Sequence, residues 1–157
     1  MVGRRERRKA EVRRALLDAA ITLFAERGIH ATRVEDITER ADLGKGAFYN
    51  YFVSKDSLVA ELLQEGIELL DARYLADLDR SAPQPEQLAS LVRLHDRFFE
   101  EHPQYLLLFH QARGLLHLER GSSERLRDVF ADYLRRIGAL LQPPGATPTW
   151  SADDASD

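Results

Sequence analysis

The sequence contains no cysteine. That excludes a disulfide-stapled secreted module, a thiolate zinc site and a cysteine nucleophile together. Long apolar runs are missing too: the longest, Tyr105–Phe109, falls far short of the roughly 20 residues a membrane span needs. The N-terminal stretch is basic, with neither an apolar core nor a small-residue cleavage site, and does not read as a signal peptide. No segment alternates apolar and polar residues and β-branched residues do not cluster, so strand signals are absent. No Gly-rich phosphate loop follows a strand, and no HExxH motif or nucleophile elbow occurs; the expectation is not an enzyme. His95 and His102 fall seven residues apart, as do His110 and His117, but no carboxylate joins them on a shared inner face. No metal and no cofactor is expected, and the location expected is cytoplasmic.

What is present is an ordinary globular mixture, 44 % hydrophobic and 31 % charged over 157 residues, enough for one domain with a small appendage. The net charge of −4 hides an asymmetry. Residues 1–55 hold twelve Lys/Arg against eight Asp/Glu, for +4, while residues 56–157 hold ten against eighteen, for −8. Seven of the basic groups lie in residues 1–14 (Arg4, Arg5, Arg7, Arg8, Lys9, Arg13, Arg14). A basic head on an acidic body points to a polyanion contacted at one end, or to a solvated terminus.

Helical periodicity runs nearly throughout. Val12, Leu16, Ala19, Ala20, Leu23 and Phe24 share one face, and Gly28 supplies the stop. Thr32 and Glu35 read as a capping box opening a helix to about Ala41, followed by a turn at Ala41-Asp42-Leu43-Gly44. A short helix is predicted over Lys45–Phe52, and Ser54 caps a long one carrying Leu58, Leu62, Leu63, Leu69, Leu70, Tyr74 and Leu78. Ser81-Ala82-Pro83-Gln84-Pro85 is a linker, with Pro85 suited to the first turn of a helix over 86–101. Pro103 opens another helix to about Glu119. Gly121-Ser122-Ser123 breaks the chain, and a seventh helix extends to 142 with an apolar stripe from Leu126 to Leu141. Residues 143–157 are too poor in apolar side chains to form a core and read as a disordered tail. The organisation expected is all-α: a helix-turn-helix head over 1–55, a helical body over 56–142, and the tail.

Within the head, Val34, Ile37 and Ala41 line one short helix, Leu43 plugs the turn, and Phe48, Tyr51 and Phe52 line the next. Gly46, Ala47, Tyr49 and Asn50 fall largely on the other side, where small residues allow close approach to a DNA groove and Lys45 and Asn50 offer polar tips. An ordinary helical hairpin has the same spacing. The segments Leu17-Asp18-Ala19-Ala20, Leu23-Phe24-Ala25-Glu26-Arg27-Gly28, Thr32, Ile37, Ala41, Lys45-Gly46, Phe48-Tyr49, Tyr51-Phe52, Ser54-Lys55 and Leu58 resemble the DNA-binding domain of TetR-type transcriptional regulators over about residues 10–62. The resemblance implies a repressor that binds a double-stranded DNA operator and a small-molecule effector of unknown identity. By position it implies that Thr32 holds a phosphate with Arg33 beside it and that Lys45, Ala47 and Asn50 read bases, Gly46 lying among them. Tyr49 and Tyr51 then reach the backbone and Lys55 a flanking phosphate.

The sequence departs from the family pattern in three places. Thr38 stands for the usual Ala, Asp42 for the turn Gly, and Gly44 for the Ser cap. In the family two further long helices build a homodimer's four-helix bundle. The sequence has none after its seventh helix, so only weak self-association through residues 126–141 is expected. The resemblance places the effector among His95, Phe98, Phe99, Tyr105, Phe109, His110 and Arg113; an aromatic stripe at this spacing is equally the pattern of a packed core. The alternative is a helical interaction scaffold whose Arg-rich amphipathic head lies on an anionic membrane or another polyanion. The stripe of Leu16, Leu23 and Phe24 is narrow, as suits packing on neighbouring helices instead.

Overall fold

The computed structural model describes residues 3–118 and 124–141. The expected tail at 143–157 and the break at 121–123 lie outside these. Six α-helices follow in order: α1 (Arg4–Arg27), α2 (Val34–Arg40), α3 (Lys55–Asp77), α4 (Gln84–Glu101), α5 (Pro103–Leu118) and α6 (Glu124–Leu141). The third expected helix, over Lys45–Phe52, is instead a run of turns around one 3-10 turn, Phe48–Asn50. Glycines at 44 and 46 weaken helix propagation, and a segment this short nucleates poorly, so tertiary anchors rather than an α-ladder set its shape.

Local signals fix most boundaries. Gly28 takes φ 90° and closes α1 by donating its N–H to the Phe24 carbonyl. At the end of α2, the Leu43 N–H reaches the Thr38 carbonyl and the Asp42 N–H the Glu39 carbonyl, a Schellman pair with Asp42 left-handed at φ 54°. The Asp at the family's glycine position is thus accommodated. Thr38 is buried, and its hydroxyl is satisfied by the Glu35 carbonyl at 3.0 Å. Ser54 caps α3, its hydroxyl accepting from the Ser57 N–H at 3.1 Å, and Pro85 lies in the first turn of α4. The predicted box at Thr32 and Glu35 is shifted by one residue. Arg33 is the cap, its N–H donating to the Asp36 carboxylate at 2.8 Å, because the Thr32 hydroxyl is turned back to the Gly28 carbonyl.

One core runs from Leu16 to Leu126, with α3 as its axis. α3 packs against α1, α4, α5 and α6, burying Leu58, Val59, Leu62, Leu63, Ile67, Leu70 and Tyr74. Full burial of one such side chain stabilises by about 1.5–3 kcal/mol. The α6 stripe is turned mainly inward: Leu126 is fully buried and Val129, Phe130, Tyr133, Ile137 and Leu140 are half-buried, with Leu134 exposed. Glu65 ties three helices, accepting from Arg14 of α1 and from the Tyr105 hydroxyl of α5 at 2.7 Å.

Gly66 sets the spacing between α3 and α5. A Cβ there would lie 2.7 Å from Tyr105 Cδ1 and 3.0 Å from Phe109 Cε2, whereas one at Gly138 in α6 would meet open space. Gly66→Ala therefore lowers the melting temperature, since overpacking by about 1–3 kcal/mol outweighs a helix-propensity gain of about 1 kcal/mol. Gly138→Ala keeps only the gain and raises the melting temperature by roughly 2–4 °C. Calorimetry on the two variants checks the opposed signs.

Candidate nucleic-acid interface and effector face

The head's exposed turn is built on two buried rings. Phe48 is fully buried and Phe52 nearly so, their centroids 5.5 Å apart, and the Arg13 guanidinium lies 5.0 Å over the Phe52 ring. Held by this pair, the turn exposes Lys45, Gly46, Tyr49 and Asn50, with Tyr49 64 % accessible and standing edge-on against Phe48. Ala47 is half-buried, as is Tyr51, which packs against the core. A Cβ at Gly46 would meet nothing within 4 Å, so no contact inside the chain demands a glycine there. Arg33 is exposed; its side chain makes no ion pair within bonding distance among the described residues, though its charge helps lower the Asp36 carboxyl pKa.

Two residues expected at the DNA backbone turn inward instead. Thr32 is fully buried and donates its hydroxyl to the Gly28 carbonyl at 2.7 Å. The Lys55 ammonium donates to the carbonyls of Ile29 at 2.7 Å and Thr32 at 2.9 Å. A cation in the first turn of a helix is disfavoured by the helix dipole, and these carbonyls supply the compensating partners. From the body, the Gln111 amide closes the same loop, accepting from the Ile29 N–H at 2.8 Å and donating to the Phe24 carbonyl at 3.2 Å. Sequence reasoning missed Gln111. Its partners lie 82 and 87 residues away, and no local pattern announces them.

The aromatic residues expected at the effector do converge. Phe98, Tyr105 and Phe109 are buried, and Phe109 meets Phe99, Phe130 and Tyr133 edge-to-face at centroid distances of 5.8, 6.3 and 5.4 Å. His95 stands edge-on to Phe99, their centroids 4.8 Å apart, and pairs through Nδ1 with the Tyr74 hydroxyl at 2.7 Å. His110 and Arg113 do not join them: both are exposed, because Tyr105, Leu108, Phe109 and Ala112 define the inner face of α5. Phe130 and Tyr133 belong to the cluster and were legible only as part of the α6 stripe. His95, Phe99, Phe130 and Tyr133 remain half-buried, so this aromatic wall is filled at its base and open at its rim.

Burial pushes the Tyr74 phenol well up and holds Tyr133 at about 12, in both cases aided by the Asp71 carboxylate. Burial also lowers the His95 pKa below its ordinary 6.5, against the opposing pull of Asp96. The unfolded chain then binds the extra proton first as the pH falls. His95 therefore contributes stability that is complete above about pH 7.5 and declines as the pH drops through 6.5 and below. In thermal melts from pH 7.5 to 5.5, His95→Gln should show a shallower loss than the parent. Parallel curves would mean that His95 carries no such linkage.

Residues 16–62 match the model of bacterial regulatory proteins of the tetR family. The HTH-type transcriptional repressor KstR2 of Mycobacterium tuberculosis is 36 % identical over 94 residues, covering 60 % of this chain and 47 % of the relative. The structure of the ketosteroid transcriptional regulator KstR2 of the same organism superposes with a TM-score of 0.66 at 30 % identity, over 82 % of this chain and 63 % of that one. FadR of Bacillus subtilis, solved in complex with stearoyl-CoA, gives a TM-score of 0.61 at 25 % identity over 81 % of this chain and 65 % of that one. The chain spans about half the length of the curated relatives it matches. Buried Phe48 and Phe52, the Asp42 turn and the Ser54 cap lie within the matched residues, and residues 16–62 carry the N-terminal domain of the tetR family of bacterial regulatory proteins.

Proposed function

We propose that the chain is a transcriptional regulator of the repressor type, whose head reads duplex DNA and whose helical body answers a small effector with a large apolar skeleton. The observation that carries this reading is the exposed turn bearing Lys45, Tyr49 and Asn50 on the rigid Phe48–Phe52 base. An Asn amide matches the hydrogen-bonding edge of adenine, and Lys matches guanine or a phosphate. Gly46 and Ala47 keep the surface low so that a groove can approach. Tyr49, Tyr51 and Arg33 reach the sugar–phosphate backbone, contacts that position the head without reading sequence. Thr32 and Lys55 serve from behind by holding the loop that carries Arg33. Two heads spaced by one turn of duplex, about 34–36 Å, require a second copy of the chain.

The effector face is proposed at the half-open aromatic wall of His95, Phe99, Phe130 and Tyr133 over Phe98, Tyr105 and Phe109. An apolar surface with a few polar tips is the usual character of a small-molecule site. FadR of Bacillus subtilis is solved with stearoyl-CoA and KstR2 is described as a ketosteroid transcriptional regulator, and both compounds have a large apolar skeleton.

Selection of a preferred duplex from a random pool, followed by binding over a range of salt, tests the head. Affinity should fall with salt at about 0.9 log unit per phosphate neutralised. Asn50→Ala should change the preferred bases, at about 1–3 kcal/mol for the pair it reads. Lys55→Met should lower thermal stability, each charged hydrogen bond being worth about 1.5–3 kcal/mol, and leave the salt slope unchanged. A slope flattened by about one unit would place the ammonium on DNA, and no binding at low salt would sink the reading. For the body, saturating stearoyl-CoA should raise the melting temperature by several degrees, CoA alone should not, and Phe99→Ala should abolish the shift. Equal shifts with both compounds, or none, would remove the apolar effector.

A further inference from the structure

The first two turns of α1 differ from the rest of that helix in how their cations are used. Farther along, Arg13 pairs with Glu61, Arg14 with Asp18 and Glu65, and Arg27 with Asp36. The side chains of Arg4, Arg5, Arg7, Arg8 and Lys9 make no ion pair or hydrogen bond among the described residues, and all five are exposed. Their placement opposes the helix that contains them. They crowd its positive end, and Arg4–Arg8 and Arg5–Lys9 repel at i,i+4 while Arg4–Arg7 and Arg5–Arg8 repel at i,i+3. Each such pair costs a few tenths of a kcal/mol, offset only in part by Glu6, three residues from Lys9, and Glu11, three and four residues from Arg8 and Arg7.

These cations fall on two faces. At about 100° per residue, Arg5, Arg8, Lys9 and Val12 share one side of α1, and Arg7 points away from it. That side forms, with Glu6, Asn50 and Tyr51, an open groove of about 410 Å³. The groove is continuous with the reading turn, because Asn50 lines the one and belongs to the other. Three cations against the single carboxylate of Glu6 leave it net positive. Arg5 and Lys9 stand about 6 Å apart along the helix axis, comparable with two axial steps of about 3.4 Å between phosphates of one strand.

We infer that the groove formed by Arg5, Arg8 and Lys9 against Asn50 and Tyr51 is a second, sequence-blind DNA site that holds the phosphodiester backbone flanking the bases read by the turn. The inference rests on the head's binding duplex DNA and adds a contact outside the helix-turn-helix. Because the segment is already helical, its cations keep a fixed position relative to Asn50. Arg7, with the same charge on the opposite face, is the internal control. A diffuse basic patch would use all five of these cations alike; a groove uses three and spares Arg4 and Arg7.

The test uses the whole chain and the selected duplex. Arg5→Ala/Arg8→Ala/Lys9→Ala together should flatten the log–log salt slope by about 2–3 units, at about 0.9 per phosphate, with the preferred base sequence unchanged. Arg7→Ala should leave the slope at the parent value. Trimming the duplex to the base-read segment should bring the parent's slope down to that of the triple variant. Alanine favours helix, so circular dichroism should show the α1 helix retained in every variant. A triple variant with the parent's slope overturns the groove while leaving base reading by Asn50 intact. An Arg7→Ala effect equal to that of each groove residue overturns it in favour of diffuse attraction. A parent chain that binds no duplex at low salt overturns the DNA reading itself.

Discussion

The structure depends most on how the loop between α1 and α2 satisfies its backbone. Residues 28–32 reverse the chain beside the core, where an unpaired N–H or carbonyl costs about 1–3 kcal/mol. The chain answers with side chains from distant helices. The Ile29 carbonyl accepts from Lys55 of α3, the Ile29 N–H donates to Gln111 of α5, the Thr32 carbonyl accepts from Lys55, and the Gly28 carbonyl from Thr32 itself. A charged donor serving two carbonyls is stronger than a neutral one, so Lys55 is the centre of this knot. The head is thereby fixed to the body by directional bonds as well as by apolar packing. Any change in the tilt of α3 or α5 is felt at the loop that carries Arg33 and opens α2.

A second layer of contacts binds α1 along the length of α3. Arg13 reaches Glu61 and Phe52, and Arg14 reaches Glu65, which also holds the Tyr105 hydroxyl. Half-exposed ion pairs contribute little stability individually. Their value here is geometric, since they set the rotation of α1 about its own axis. That rotation decides which of its N-terminal cations face Asn50. The Arg13 Nε, buried without a partner among the described residues, shows that the guanidinium was placed for Glu61 and the Phe52 ring rather than for full hydrogen bonding.

What could be read from the sequence was whatever is decided locally. Gly28, Asp42, Ser54 and Pro85 mark ends and turns through their own backbone preferences, and each marks one in the structure. The periodic apolar faces likewise located the helices. The turn at 45–50 was misjudged because helical spacing of Phe48 and Phe52 is compatible with a tighter turn when two glycines precede it. Thr32 and Lys55 were assigned outward roles because their polar ends look available in one dimension. Their acceptors are main-chain carbonyls, which carry no sequence signature. His110 and Arg113 were grouped with Phe109 by proximity along the chain, while the true neighbours, Phe130 and Tyr133, come from the next helix.

The continuous helix from Arg4 to Arg27 makes α1 a ruler. Exposed segments near a chain end usually tolerate added or deleted residues, because nothing downstream depends on their register. Here one residue inserted between Lys9 and Val12 would advance the cations by about 1.5 Å and turn them by about 100°, carrying Arg7 toward the groove and Arg8 away from it. The N-terminal turns bury no side chain, yet under the groove proposal their length in residues is constrained as tightly as that of a core helix. Substitution that keeps the charge leaves that register intact; insertion or deletion does not.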